Sequence, residues 1–158
     1  MYKVLFLIFV STMILFSKPI KFKEEKYISA LSTSVYRNGI LKIDNDTLEI
    51  RYLNEDKSFI FTKENIIEKN GDKKKVLNYE ENFELTIFSK IIDSIYKNKP
   101  ENLKEYFQII KDDSVNRLIP NDYISNVISK IEYKKKDDKL IFLKIFFTND
   151  DWINIVEN

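Results

Sequence analysis

Carboxylate pairs are the first candidates for chemistry in this sequence. They occur at Asp44–Asp46, Asp112–Asp113 and Asp150–Asp151. Two nearby carboxylates can bind a metal ion or act as general acid and base. Each pair, however, lies in a polar stretch typical of a turn, where aspartate hydrogen-bonds the backbone. None fits a twelve-residue calcium loop with a central glycine and a terminal glutamate. We therefore predict turns at these positions, with no catalytic or metal site.

Hydroxyl groups at Ser32, Thr33 and Ser34 are the second candidates. The sequence has no histidine and no cysteine, so a histidine-activated serine hydrolase and thiol chemistry are excluded. Only two glycines are present, which excludes a glycine-rich phosphate loop. A hydrolase using two carboxylates from distant parts of the chain stays open, because spacing across a fold is invisible in sequence. We expect no enzyme and no cofactor.

The charge balance gives no sign of a nucleic-acid partner. The chain has 158 residues with 26 Lys and Arg and 25 Asp and Glu, and Lys3 is the only charged residue before residue 18. Residues 18–158 are therefore formally neutral, which does not predict binding to a polyanion. Lysine runs at Lys73–Lys75 and Lys134–Lys136 fall at predicted hairpins, where they would keep strand edges from pairing. The alternative, a membrane-surface or nucleic-acid patch, is disfavoured by the acidic residues nearby.

The first 17 residues resemble a secretory signal peptide. Lys3 precedes an apolar run at Val4–Phe16, and the small residue Ser17 stands where cleavage would occur. The run is shorter than the roughly 20 residues of a membrane span, although an uncleaved anchor is the alternative. Residues 18–158 are long enough for one domain with its own core. We therefore expect an exported, periplasmic domain.

A helix is predicted at Asn82–Pro100. Apolar residues recur there at three- and four-residue steps, which places them on one helix face. Asn82 is expected to cap the N-terminus and Pro100 to end the helix. We expect the apolar face to pack across the apolar side of a sheet. Its members are Phe83, Leu85, Ile87, Phe88, Ile91, Ile92 and Ile95.

The rest of the chain predicts short antiparallel strands, because apolar and polar residues alternate between turn signals about ten residues apart. In Leu140–Phe147 both faces are apolar except at Lys144, which predicts a strand that is central or covered on both sides. A second, short helix is expected after Pro120, with Asn121 as its N-cap and an apolar side of Tyr123, Ile124, Val127 and Ile128. Turns are expected at the three carboxylate pairs, Asn54–Asp56, Asn70–Gly71 and Lys136–Asp138, and a turn or bulge at Asn38–Gly39.

This order of elements resembles the LolA-type outer-membrane lipoprotein carrier family, in particular its shorter periplasmic members. The likeness covers essentially all of residues 18–158. Asp44–Asp46 stands where the family commonly has an Arg-Pro pair, and Glu24 where it tends to have glutamine, so no carrier arginine can be assigned. The segments that carry the likeness are Phe22–Lys26, Arg37–Ile43, Leu48–Tyr52, Asn102–Ile109 and Leu118–Asp122.

The resemblance implies an α+β fold: an unclosed, curved antiparallel half-barrel with one main helix and one short helix over its concave face. It further implies a monomeric periplasmic carrier that holds acyl chains of a lipid or lipoprotein in a hydrophobic cavity. Such a carrier takes its cargo from an inner-membrane transporter and passes it to an outer-membrane acceptor. Our candidate lipid-binding residues are Leu48, Ile50, Tyr52, Phe59 and Phe61 from the sheet and Phe88, Ile91, Ile92 and Ile95 from the helix.

Apolar helix faces in most proteins simply fill a core, so a second hypothesis stays open. In it, the protein is a non-enzymatic periplasmic interaction domain with a closed core, no lipid cargo and a partner recruited along a sheet edge. The two hypotheses differ in whether space remains between helix and sheet.

Overall fold

The structure, a computed structural model, describes residues 18–158, so the predicted signal peptide at residues 1–17 lies outside the described residues. One antiparallel sheet contains eleven strands in the order β6-β5-β4-β3-β2-β1-β11-β10-β9-β8-β7. The strands are β1 (Ile20–Ile28), β2 (Thr33–Ile43), β3 (Leu48–Leu53), β4 (Lys57–Phe61), β5 (Ile66–Asn70), β6 (Lys73–Leu77), β7 (Phe107–Ile110), β8 (Asn116–Pro120), β9 (Ile128–Lys136), β10 (Lys139–Phe147) and β11 (Trp152–Glu157).

Two meanders meet in the middle of this sheet. Strands β1 to β6 run outward to one edge, and β7 to β11 run inward from the other. The meanders join where β1 pairs with β11, with Glu24 opposite Ile155. The edge strands β6 and β7 do not pair with each other, so the sheet is unclosed. The expected α+β half-barrel is confirmed in this respect.

The sheet curves around α1 (Phe83–Tyr96), the one α-helix among the described residues. Phe61 on β4 and Ile145 on β10 line one cavity under α1, although four strands separate β4 from β10. Five strand spacings of about 4.8 Å would put these strands roughly 24 Å apart in a flat sheet. The sheet must therefore bend toward the helix. No helix within residues 18–158 has both the length and the apolar character needed to cross a membrane.

Helix α1 ends earlier than the sequence predicts. Asn98 adopts a left-handed conformation with φ 55°. Lys99 N donates to Ser94 O at 2.9 Å, and Asn98 N to Ile95 O at 3.3 Å, which is the Schellman pattern of a helix C-terminus. Pro100 instead begins a 3₁₀ turn at Pro100–Leu103. At the other end Asn82 precedes the helix as predicted, but its side chain bonds Asn78 O and does not cap α1.

The predicted short helix after Asn121 is wrong. Residues 122–127 form turns, and β9 begins at Ile128. Asn121 O accepts from both Ile124 N and Ser125 N, but β8 and β9 leave only seven residues between Pro120 and Ile128. So short a segment forms too few helical hydrogen bonds to offset the free-energy cost of helix nucleation. Of the predicted apolar side, Ile124 and Ile128 are buried and Val127 is half-buried, whereas Tyr123 is 70% exposed.

Asn38–Gly39 does not form the expected turn or bulge. Strand β2 runs straight through both residues, and the β1–β2 connection lies earlier, at Ser32 with φ 48°. Gly39 is required for space, since a Cβ there would lie 2.2 Å from Phe22 Cζ. In contrast, Gly71 with φ 57° occupies the predicted Asn70–Gly71 hairpin, which is confirmed.

Strand β10 is central, as predicted for a strand with two apolar faces. It lies between β11 and β9. Leu140, Leu143 and Ile145 are buried toward the helix, whereas Lys144 and Phe146 lie on the outer side. The alternation thus separates a core face from an outer face on which residues 18–158 place no second layer.

Candidate functional site

An apolar cavity of about 270 Å³ lies between α1 and the concave face of the sheet. Strands β3 and β4 form one wall, and β9 to β11 form the other. Helix α1 covers it with residues between Phe83 and Ile91. The apolar lining consists of Ile50, Phe59, Phe61, Phe83, Leu85, Ile87, Phe88, Ile91, Val127, Ile128, Ile145, Phe147 and Ile153.

The lining includes six of the nine predicted lipid-binding residues: Ile50, Tyr52, Phe59, Phe61, Phe88 and Ile91. The other three are buried beside it. Leu48 borders a separate polar cavity of about 420 Å³, and Ile92 borders a small gap near Tyr96. Ile95 belongs to the core without lining any of these cavities.

A polar cluster forms part of the wall of the apolar cavity. Glu24, Arg37 and Tyr52 all line it. Arg37 Nε donates to Glu24 Oε1 at 2.9 Å, and a second guanidinium nitrogen forms an ion pair with the same oxygen. Tyr52 Oη donates to Glu24 Oε2 at 2.9 Å. Both carboxyl oxygens are therefore satisfied inside an apolar surround, as burial of a charge requires.

The cluster is held together electrostatically as well as by hydrogen bonds. Burial, reinforced by the charge of Glu24, raises the pKa of Tyr52 well above its usual range, so its hydroxyl stays a donor. Burial lowers the pKa of Arg37, but the hydrogen bond to Glu24 and the charge interactions with Tyr52, Glu24 and Glu55 together outweigh it, so the pKa is raised. The guanidinium also lies over the Tyr52 ring, 4.2 Å from the centroid.

Arg37 reaches solvent from this cluster. Its side chain is 29% exposed, whereas that of Glu24 is 2% exposed. A third guanidinium nitrogen, Nη1, lies 3.9 Å from Glu55 in the turn between β3 and β4. The cluster thus connects the wall of the apolar cavity, at Glu24, to solvent, at Arg37.

Sequence reasoning missed Glu24 and Arg37 as site residues, although a signal was available. Ile20, Phe22, Glu24, Lys26 and Ile28 share one face of β1, and Phe22 at 5% exposure shows that this face is buried. A lone acidic residue on such a face needs a buried cationic partner. The partner could not be identified from the sequence, because it depends on the register that places Glu24 opposite Arg37.

The carboxylate pairs lie in turns, as predicted. Asp112 Oδ1 accepts from Ser114 N at 3.0 Å, and hydrogen bonds from the backbone and side chain of Ser114 lower the pKa of Asp112. Asp151 Oδ1 accepts from Ser29 N at 2.8 Å. Asp46 pairs with Lys63 at 2.7 Å. These carboxylates are used by local structure and do not line the apolar cavity.

The arrangement of helix and strands is similar to that of solved protein structures. The crystal structure of a "putative outer membrane lipoprotein-sorting protein domain" from Vibrio parahaemolyticus matches 89% of this chain and 82% of its own length. The TM-score is 0.46 and the sequence identity 13%. No family model matches the sequence, and no curated protein matches it. At this identity, the likeness concerns chain arrangement and says nothing about a ligand.

Proposed function

We propose that this protein binds one acyl chain of a lipid or lipoprotein in the cavity under α1. The supporting observation is a space lined by thirteen apolar side chains, with the Glu24–Arg37–Tyr52 cluster in its wall. An acyl chain needs only a dry apolar surround and gains about 0.8 kcal/mol for each methylene removed from water. The polar cluster would lie beside the head group or linkage of the amphiphile.

The size of the cavity favours one chain over several. A volume of about 270 Å³ is slightly below the range of typical small-molecule pockets, roughly 300–1,000 Å³. It corresponds to about nine groups the size of water, taking roughly 30 Å³ for each. Longer or additional chains would require α1 to move outward. Polar turns connect the helix to the sheet at each end, and the buried face of the helix opposes such movement.

The wider role that we propose is transport of this cargo through the periplasm toward the outer membrane, by a monomeric carrier. An inner-membrane transporter would supply the cargo and an outer-membrane acceptor would receive it. This part is supported by the sequence resemblance and by the predicted signal peptide at residues 1–17. It includes no catalytic step.

The alternative is an interaction domain whose helix packs permanently and holds no lipid. In that case the cavity would be a packing defect. The cluster in its wall favours the carrier, since a permanently closed core is often as stable or more stable with apolar side chains in place of an ion pair.

Native mass spectrometry of protein purified without detergent tests the carrier hypothesis. We expect a discrete added mass that organic solvent removes, and uptake of a fluorescent fatty acid after removal. A Leu85→Trp variant fills the cavity from the helix and should abolish uptake. Leu53→Trp makes the same change on β3 at a position facing away from α1, and should leave uptake intact. Bare protein that takes up no fatty acid would support the closed interaction domain.

A further inference from the structure

The outer face of the sheet, defined as the strand side chains that point away from α1, is strongly basic. Strand pairing assigns these side chains, because residues next to cavity-lining positions alternate to the opposite face. Twelve Lys and Arg residues from eight strands have this orientation, against three acidic ones, Glu25, Glu49 and Glu132. The formal net charge of the outer face is therefore +9.

The fold separates charge that the sequence had balanced. Residues 18–158 contain 25 basic and 25 acidic residues once Lys3 is set aside, so thirteen basic and twenty-two acidic residues lie elsewhere. The helix side and the turns thus carry −9. The three acids of the outer face are already engaged: Glu25 with Ser34 and Tyr36, Glu49 with Lys42, and Glu132 with Arg117 and Lys130.

Aromatic rings are interleaved with the lysines at the centre of this face. Trp152 stacks on Tyr27 with centroids 5.5 Å apart. Lys144 Nζ lies 4.0 Å from the Trp152 ring and 5.0 Å from that of Phe146. Amphipathic rings and long lysine chains, each with an apolar body and a polar tip, suit the head-group layer of a bilayer.

We propose that the outer face docks on the surface of an anionic lipid bilayer. Its basic side chains are spread over eight strands as a broad surface, and such clusters are attracted to anionic lipids. The acidic helix side would be repelled, which orients the molecule with α1 away from the membrane. This inference rests on charge and side-chain chemistry, and it does not depend on whether the cavity holds an acyl chain.

Trp152 is the only tryptophan, so its fluorescence reports on this face directly. The test is a titration of the purified protein with phosphatidylcholine vesicles, with and without about one third phosphatidylglycerol. We expect a blue shift and saturable binding only with the anionic vesicles. Raising the ionic strength about tenfold should weaken binding strongly, since exposed charges are then screened.

Two triple charge-reversal variants distinguish an effect of the outer face from an effect of the overall charge of the protein. Lys21, Lys23 and Lys136 are exposed, lie on the outer face and form no ion pair with another described residue. Their triple change to Glu should weaken binding to anionic vesicles by about tenfold or more, given the usual contribution of each basic residue. The matched control changes Lys90, Lys99 and Lys104, which lie in α1 and the loop after it, and should bind like the unaltered protein.

Three results would overturn the proposal: equal binding to both kinds of vesicle, equal loss in both triple variants, or binding to polyglutamate but not to anionic vesicles. The last would assign the face to an acidic protein. Circular dichroism and thermal unfolding establish that both variants fold. If the outer-face Glu variant does not, the same three lysines changed to Gln provide the comparison.

Discussion

Glu24 and Arg37 lie directly opposite each other on β1 and β2, with the carboxyl group buried and the guanidinium half-buried. The pair is part of the wall of an apolar cavity. Charged pairs in such places are weak contributors while intact, but costly when one partner is lost. Because only Glu24 is buried, we expect the loss of Arg37 and the loss of Glu24 to change the stability of the protein by different amounts.

Arg37→Ala should destabilise the protein by about 3 kcal/mol, because it leaves the charge of Glu24 buried with only Tyr52 as a donor. Glu24→Ala should cost less, since Arg37 can still reach water and Glu55. The double variant should be more stable than the sum of the single changes predicts. Urea unfolding of the four proteins measures this coupling.

Lys42 and Glu49 provide the matched control for this cycle. They form a cross-strand pair at 3.8 Å between β2 and β3, and neither side chain is buried, at 47% exposed for Lys42 and 34% for Glu49. Alanine at either position should change the free energy of unfolding by about 1 kcal/mol or less. Equal losses at the two pairs would show that burial of Glu24 is not what makes its pair important.

Gly39→Ala should destabilise the protein by about 1–3 kcal/mol, because the added methyl group would overlap the ring of Phe22. Phe22→Leu in the same chain should recover part of the loss by opening space. The measurement is again the free energy of unfolding, compared across the single and double variants.

Gly71 tests the opposite requirement. Nothing lies within 4 Å of the position a Cβ would take, but its φ of 57° is left-handed. Gly71→Asn should therefore be nearly neutral, since Asn tolerates this conformation, whereas Gly39→Asn should be severe. Similar losses at both positions would contradict the steric explanation for Gly39.

The sequence predicts the turns and α1 because their signals are local. Asn70–Gly71 specifies a hairpin whatever surrounds it, and the apolar spacing in α1 specifies its buried face. The errors arise where tertiary contacts override a local signal. Asn38–Gly39 resembles a turn, but Phe22 needs the space over Gly39, and the residues after Asn121 are constrained by the strands on both sides.

Six of the nine candidate lipid-binding residues line the cavity, because alternation on β3 and β4 and periodicity on α1 are visible in the sequence. The opposite wall of the cavity, which contains Ile145 and Ile153, could not be predicted, because it depends on sheet curvature that brings distant strands together. The basic outer face could not be predicted either, because it depends on strand pairing. A neutral composition gives no sign of charge separation until the register assigns each lysine to a face.

Stability should fall as the pH rises above about 10, the ordinary pKa of tyrosine. Burial and the charge of Glu24 raise the pKa of Tyr52, and burial likewise raises those of Tyr79, Tyr96 and Tyr133. Below this pH both states hold the phenolic proton, so there is no effect. Above it the unfolded chain loses the proton and the folded chain keeps it, which favours unfolding.

Tyr52→Phe should make this alkaline loss shallower, by up to about 1.4 kcal/mol for each pH unit above 10. Lysine titration is shared by both proteins and cancels in the comparison. Urea unfolding at several pH values between neutral and alkaline gives the two slopes. Identical slopes would show that Tyr52 ionises in the folded state as readily as in the unfolded chain.

Lys135 on β9 fastens the C-terminal end of α1 to the sheet. Its Nζ donates to Ile95 O at 3.1 Å and to Asn98 Oδ1 at 2.7 Å. A cation at this end of a helix satisfies free carbonyl groups and complements the helix dipole. Burial lowers the pKa of Lys135. The two acceptor oxygens nevertheless fix the position of its ammonium group.

Lys135→Met should therefore destabilise the protein by about 1 kcal/mol and loosen the last turn of α1. Hydrogen exchange of the amides in Ile92–Tyr96 should quicken, while exchange in β1 stays unchanged. Lys136→Met is the control, because Lys136 is exposed and points to the opposite face of the same strand. If α1 must move outward to admit cargo, fatty-acid uptake should also be faster in the Lys135 variant. Slower exchange or an equal effect of Lys136→Met would show that Lys135 does not hold the helix end.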